Sequence, residues 1–289
     1  MISVVIPALN ESQTIQRTVT AFHQVLASSG RQHEIIVVDD GSSDGTGSLA
    51  TAVGAAVVRH PHNVGYGRSL KDGIVQAQYD TIVICDADGT YPIDKVPDLL
   101  TALDEGFDLV IASRQNTADF DGVGKRVLRR ILRRFVQFIA GRKVPDVNSG
   151  LRVFRRSAAM QYFPILCDTF SFTTSQTLSY MLAGRFVAFI GVPYAWRQGE
   201  SKVRLIRDSA RTLQFVVRTV LYYEPMRIFI LFSFLLLLLS LVSLVISFVT
   251  RVNAAYFIAI GSILTALVVF CLGLLADLLH HILARIRAV

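Results

Sequence analysis

Along the first third of the chain, short β-branched runs alternate with stretches of helical spacing. Residues 2–6 (ISVVI) predict a strand ending at Pro7. Residues 11–26 place Ile15, Val19, Phe22 and Leu26 on one face and predict a helix with Asn10 as its N-cap. The same alternation predicts strands over 34–38, 55–58, 81–85 and 108–112, and helices over 44–53, 64–77 and 94–103. Strands that are apolar throughout and separated by helices predict the α/β class: a mostly parallel sheet with helices on both faces. In such sheets ligands bind beyond the carboxyl ends of the strands. The polar clusters stand there: Asn10 and Glu11, Asp39 and Asp40, Asp86 and Asp88, then Ser113 and Arg114.

The pattern changes completely near the carboxyl end. Residues 228–249 and 254–276 are two apolar runs without a charge. Each exceeds the ~20 residues a helix needs to cross a bilayer, and the four residues between them predict a tight hairpin. Arg218 and Arg227 precede the first run and Arg285 and Arg287 follow the second, which predicts that both termini are cytosolic. Before the hairpin, 124–140 (GKRVLRRILRRFVQFIA) sets Val127, Leu128, Ile131, Leu132, Phe135 and Phe138 against Lys125, Arg126, Arg129, Arg130, Arg133 and Arg134. That is the composition of a helix lying on an anionic lipid surface; nucleic-acid binding is the weaker rival beside two membrane spans. The expected organisation is a cytosolic domain over 1–204, a juxtamembrane amphipathic helix over 205–227, spans at 228–249 and 254–276, and a cytosolic tail at 277–289.

Composition agrees. Of 289 residues, 52% are hydrophobic and 18% charged, against about 25% charged in an ordinary soluble domain. That excludes a disordered chain, and three cysteines in this length exclude a disulfide scaffold. The opening MISVVIP has no basic stretch or cleavage site, so no signal peptide is expected. His23, His33, His60 and His62 show no ligand spacing and are expected at the surface.

Asp86-Ala87-Asp88 carries the sharpest chemistry. Two carboxylates in a turn after a buried strand can converge on one hard cation, Mg²⁺ or Mn²⁺, together with substrate phosphates. Asp39 is a candidate acceptor for a nucleobase or ribose, and Asp44 a cap for the helix that follows. Neither the DDGSSDGT stretch nor Gly65-Tyr66-Gly67 is a phosphate loop or dinucleotide fingerprint, since Gly-Lys-Ser/Thr is missing and position 70 is Leu.

Taken in order, VVIPALNE (4–11), VVDDGSSDGT, NVGYG and DADGTYP resemble a family 2 glycosyltransferase of the GT-A fold. The later SRQ, NSGLRVFRR and WRQGESK stretches are similar to the dolichol-phosphate mannose synthase branch of polyprenyl-phosphate glycosyltransferases. The resemblance implies a nucleotide-sugar pocket lined by Pro7, Leu9, Asn10, Glu11, Asp39, Asp86 and Ala87. It implies a metal held by Asp86 and Asp88, catalytic roles for Asp88, Arg114, Ser149 and Arg152, and a lipid-phosphate grip from Arg114, Arg126, Ser149, Arg197, Ser201 and Lys202. Several relatives carry Gln two residues after the second Asp as a further ligand; here Thr90 stands there. The implied enzyme inverts configuration while moving a hexose from a GDP-mannose or UDP-glucose type donor to a polyprenyl or dolichyl monophosphate. It works at a cell membrane or endomembrane, without nucleic acid, and a homo-oligomer through the hairpin is compatible with it. The alternatives are a processive polysaccharide synthase, which two spans cannot serve as a conduit, and a catalytically silent nucleotide-sugar-binding protein, which the intact DAD turn opposes. A third alternative, a small transporter, lacks the intramembrane polar groups of a pathway.

Overall fold

A computed structural model describes residues 1–115, 123–195 and 205–287, in two units, Met1–Val216 and Val217–Val289. In the first unit, the strands β1 (Ile2–Ala8), β2 (His33–Asp39), β3 (Ala56–Arg59), β4 (Thr81–Ile84), β5 (Leu109–Arg114), β6 (Arg152–Arg155) and β7 (Val187–Val192) form one sheet in the order β3-β2-β1-β4-β6-β5-β7. Every neighbouring pair is parallel except those involving β6, which runs against β4 and β5. The chain steps from β1 outward to β2 and β3, then crosses back to the other side of β1 at β4. This leaves a crevice between β1 and β4, the point where ligands bind in such sheets.

β1 is the central strand of this half and is buried at all seven positions. On one face, α1 (Ile15–Ser28) and α4 (Val96–Asp104) press Ile15, Val19, Phe22, Leu26, Leu99 and Leu103 onto Val4, Ile6, Ile35, Val37 and Val83. On the other, α3 (Tyr66–Gln76) comes so close that a methyl at Gly73 would sit 2.9 Å from Val38 Cγ2 and collide with Val5. A short α2 (Thr46–Ala52) links β2 to β3.

The five expected strands and the helices between them are present, with shifted ends. Pro7 does not stop β1; it pairs in register with Val38, and the strand runs on to Ala8. Asn10 is not the N-cap of α1. It turns the chain at φ 49°, which Asn tolerates better than most residues, and the helix starts at Ile15 after Thr14 and Ile15 have both donated to the Glu11 carbonyl. The basic helix α5 (Val123–Ala140) forms, but the buried positions near its end are Val136 and Ile139, while Phe138 is 56% exposed. Beyond it lie α6 (Arg156–Met160) and α7 (Phe172–Leu182), then α8 (Leu205–Tyr223). The helix expected over 205–227 ends at Tyr223, because Pro225 opens the next one.

The second unit contains two apolar helices, α9 (Pro225–Thr250) and α10 (Asn253–Arg287), joined by Arg251 and Val252 alone. Both are long and apolar enough to cross a membrane. Arg251 closes α9 in the left-handed conformation, φ 58°. Small residues face inward. Ser233 Oγ donates to the Ala266 carbonyl (3.2 Å) and Ser240 Oγ to that of Ala259 (2.9 Å), and Gly273 leaves room for Phe229. Where lipid would otherwise face a polar group, such bonds and close small-residue contacts hold helices together. The expected tail at 277–289 is not a separate segment: α10 continues to Arg287.

Candidate active site

The site is built by the carboxyl ends of β1, β2 and β4 and by the turn entering β6. Because β6 is antiparallel, pairing Arg152 with Ile84 and Ile111, its entering turn arrives at the edge where β4 and β5 end. Adjacent strands lie about 4.8 Å apart. The ends of β2 and β4, on either side of β1, are therefore about 10 Å apart, the scale of a nucleoside carrying phosphates.

On the β1–β2 side, hydrogen bonds hold the turns. Asn10 N–H donates to Ser42 Oγ (2.9 Å), and its Oδ1 accepts from Ser43 N–H (2.9 Å). Glu11 N–H donates to Thr46 Oγ1 (2.9 Å). Asp39 is 6% exposed, and its Oδ1 accepts from Ser42 N–H (3.0 Å). Its Oδ2 lies over Gly47, where any side chain would strike it. Pro7 is buried within β1. Asp44 accepts from Thr46 N–H (3.1 Å) at the start of α2 and from Ser12 N–H (3.0 Å), so it serves the helix from one residue ahead of the cap. Burial pushes its carboxyl up, but the bonds from Thr46 and Ser12 hold it down to about 2.

Asp40, expected only as a member of the polar cluster that follows β2, is a buried hub. It accepts from Val64 N–H (2.9 Å), Gly65 N–H (3.0 Å) and His60 Nδ1 (2.9 Å). His60 reaches Asp72 with its other nitrogen (3.3 Å), and its side chain is only 11% exposed, so the expected surface placement fails for it. His23 and His33 also face each other, Nδ1 to Nε2 at 3.0 Å, rather than open solvent. Burial, then the neighbouring ring, push the His23 imidazole down.

On the β4 side, Asp88 is 8% exposed, and its Oδ1 accepts from both the hydroxyl (2.6 Å) and the backbone N–H (3.2 Å) of Thr90. Thr90 thus orients a carboxylate and is itself 1% exposed. Asp86 Oδ1 accepts from the Tyr66 hydroxyl (2.8 Å), and its carboxylate lies against the Cα of Gly150. Burial, then the Asp86 charge, push the Tyr66 hydroxyl well above its ordinary value, so it is a proton donor at neutral pH. Ala87 is buried, and its carbonyl accepts from Thr18 Oγ1 (3.3 Å). No group of three or more His, Cys, Asp and Glu side chains forms a metal site among the described residues. The turn offers two hard carboxylates, which suit a divalent cation whose remaining ligands are phosphate oxygens and water.

Three residues expected to be catalytic, two of them also expected to meet phosphate, are engaged inside the protein. Arg114 makes a two-pronged pair with Asp146 (2.7 and 2.9 Å) and lies 5.3 Å from the centre of the Tyr194 ring. Burial alone pushes the Asp146 carboxyl up; the Arg114 guanidinium outweighs it and holds it below the usual carboxylate range. Arg152 is completely buried and donates to the carbonyls of Val147, Ser149 and Thr173, each at 2.7 Å, and to Thr177 Oγ1 at 2.8 Å. Ser149 is also fully buried, with Oγ 3.4 Å from the Tyr91 hydroxyl. The bidentate chemistry that favours arginine for phosphate serves equally well for an internal carboxylate or for carbonyls, and burial decides between them. Arg126 belongs to α5, its side chain outside those described; Arg197, Ser201 and Lys202 lie outside the described residues. The chain leaves the described residues just after Ala195, whose N–H donates to the Thr90 carbonyl (3.1 Å), two residues from Asp88.

Tyr66, Tyr91, Asp146, Tyr194 and Gly150 complete this side, and only their membership of the NVGYG, DADGTYP and NSG stretches pointed to three of them.

Residues 3–163 match the family model described as Glycosyl transferase family 2. The chain is 30% identical over 255 residues to an undecaprenyl-phosphate 4-deoxy-4-formamido-L-arabinose transferase of Klebsiella pneumoniae, covering 83% of this chain and 73% of that one. The protein of the same name from an Enterobacter species is 29% identical, over 99% of this chain and 90% of its own. Among solved structures, glucosyl-3-phosphoglycerate synthase of Mycobacterium tuberculosis, in complex with Mn²⁺, UDP and phosphoglyceric acid, superposes with a TM-score of 0.63 at 23% identity, covering 76% of this chain and 78% of that one. This chain belongs to glycosyltransferase family 2 and has the GT-A fold.

Proposed function

We propose that this glycosyltransferase moves a sugar from a nucleoside-diphosphate donor to a polyprenyl monophosphate, with Asp86 and Asp88 holding a divalent cation against the donor diphosphate. The carboxylate pair at the end of β4, oriented by Tyr66 and Thr90, carries the proposal. The acceptor class is supported by the names of the two relatives and by the apolar hairpin. Those relatives act on a modified pentose; the hexose of the GDP-mannose or UDP-glucose type is the expectation from motif resemblance, so both belong in the test.

In the proposed reaction, a phosphate oxygen of the acceptor forms a bond to the anomeric carbon as the bond to the diphosphate breaks, and the nucleoside diphosphate leaves with the electron pair. Asp86 and Asp88 would hold the cation, Mg²⁺ or Mn²⁺, which would supply positive charge against that leaving group. A phosphomonoester has its second pKa near ~6, so the acceptor arrives largely dianionic and needs no strong base. Asp39 and the 9–11 turn would hold the nucleoside, with Pro7 and Ala87 as part of the wall. With Arg114, Ser149 and Arg152 held internally, the phosphate grip falls to Arg126, Arg197, Ser201 and Lys202. Both termini are proposed to be cytosolic, with 1–204 as the catalytic domain.

The test incubates the full chain in detergent with a short polyprenyl phosphate, MnCl₂ or MgCl₂, and a panel of nucleotide sugars that includes UDP-4-deoxy-4-formamido-L-arabinose. A glycolipid of the summed mass is expected, and Asp88→Ala is expected to abolish it with the melting temperature retained. Full turnover by that variant would remove the metal role.

A further inference from the structure

We infer that Tyr66 is a positioning residue that locks the Asp86 carboxylate for the donor diphosphate, with Gly150 as the floor on which that carboxylate lies. The inference rests on the reading of the site given above.

Two contacts fix Asp86 from different sides. The Tyr66 hydroxyl donates to Oδ1 at 2.8 Å, and the carboxylate lies so near Gly150 Cα that a methyl there would overlap Cγ and both oxygens. Gly150 is itself anchored, its N–H donating to the Tyr91 hydroxyl at 2.6 Å. Tyr66 is held just as firmly. Gly65 before it has φ +113° and donates to Asp40 Oδ2 (3.0 Å). Gly67 after it lies directly against the carbonyls of Cys167 and Thr169, and Arg68 N–H donates to the Asp168 carbonyl (2.9 Å). The ring stacks on Phe170 with centroids 5.7 Å apart and an interplanar angle of 15°.

A glycine on each side therefore lets the 65–67 backbone lie against 167–169, and this close approach aims the hydroxyl at Asp86. The start of α3, braced by the loop before α7, and the turn before β6 meet at one carboxylate. A carboxylate pinned in one rotamer has less freedom to lose when a charged ligand arrives, which is how preorganisation raises affinity. A hydroxyl donating to a carboxylate is a charge-assisted bond, among the stronger ones.

Full-length protein in detergent would be titrated by calorimetry with UDP and with GDP, each in MnCl₂ and in EDTA. Tyr66→Phe keeps the ring and its stack but loses the hydroxyl. Its Mn²⁺-dependent nucleotide affinity is expected to fall about tenfold or more, with an unchanged melting temperature and little change in EDTA. Gly150→Ala, which displaces the carboxylate, should show the same loss. Phe170→Ala, which removes the stack and spares the hydroxyl, should stay within about threefold of the parent. If the parent binds neither nucleotide with Mn²⁺, the donor site itself is wrong. If it binds and Tyr66→Phe and Gly150→Ala bind equally well, the positioning role is overturned. A loss in Tyr66→Phe that merely tracks a lowered melting temperature, and recurs in Phe170→Ala, overturns it as well.

Discussion

Arg152 shows how far residue type underdetermines a role. Its sequence setting, two residues after Asn-Ser-Gly, implied a catalytic role by resemblance; the fold puts it among the largest wholly buried side chains and gives each part of its guanidinium a protein acceptor. Burial pushes its pKa down to about 10, so it remains charged at neutral pH. Arg152→Met is expected to cost about 3 kcal/mol or more, because three carbonyls lose a charged donor in a dry environment, and Arg152→Lys should rescue little, lacking the planar fork. Denaturant midpoints measure both, and a change near zero would return Arg152 to the surface. Asp44 comes closer to its expected role: it serves the helix it was expected to cap, but from one residue ahead of the N-cap Gly45. Its folded pKa, about 2, lies below the ordinary 3.8, so its contribution is complete above pH 4 and disappears as pH falls toward 2. Asp44→Asn should lower the melting temperature at pH 7 and flatten its decline between pH 4 and 2.

At the scale of elements, the parallel half of the sheet was legible because β1, β2 and β4 are apolar on both faces and each stops at an Asp or Asn-rich turn. The strand β6, four residues RVFR with two arginines, has no such pattern; its antiparallel insertion between β4 and β5 comes from tertiary pairing. The helix α7 was illegible for a related reason. Phe172 through Met181 are all buried, yet six of those ten side chains are Ser, Thr or Gln, so no apolar stripe marks a core face. The polar groups serve Arg152 and the 147–151 turn on one side. On the other, Gln176 Nε2, Ser179 Oγ and the Tyr180 hydroxyl are buried without a hydrogen-bond partner among the described residues. An unsatisfied buried hydroxyl is a net cost. Ser179→Ala should therefore stabilise the protein by about 1 kcal/mol, seen as a raised denaturant midpoint with donor affinity unchanged; a lowered midpoint would mean that Ser179 has a partner after all.

At the scale of the whole molecule, charge and apolarity are segregated. The runs that become α9 and α10 were the most legible part of the chain, because a charge-free stretch of that length has few uses outside a bilayer. The inward serines that set their pairing were only half legible, since seven-residue spacing puts Ser233 and Ser240 on one helical face but names no partner for that face. The six basic and no acidic residues of α5 account for almost all of the net charge of +7. Arg130, Arg133 and Arg134 of that helix are exposed, while Val136 and Ile139 anchor its end in the protein. A cationic surface held rigidly on a domain attracts anionic lipid by about 1 kcal/mol for each basic residue near the headgroups, and acts only over roughly a Debye length. The proposed reaction takes a water-soluble donor and a membrane-bound acceptor, so this attraction should touch one substrate and not the other. Changing Arg130, Arg133 and Arg134 together to Glu is expected to raise KM for polyprenyl phosphate in anionic vesicles about tenfold or more at low salt. The effect should shrink as ionic strength rises, and the nucleotide Kd should stay within about twofold. Equal losses for donor and acceptor, or losses indifferent to salt, would instead make α5 a structural support of the donor site.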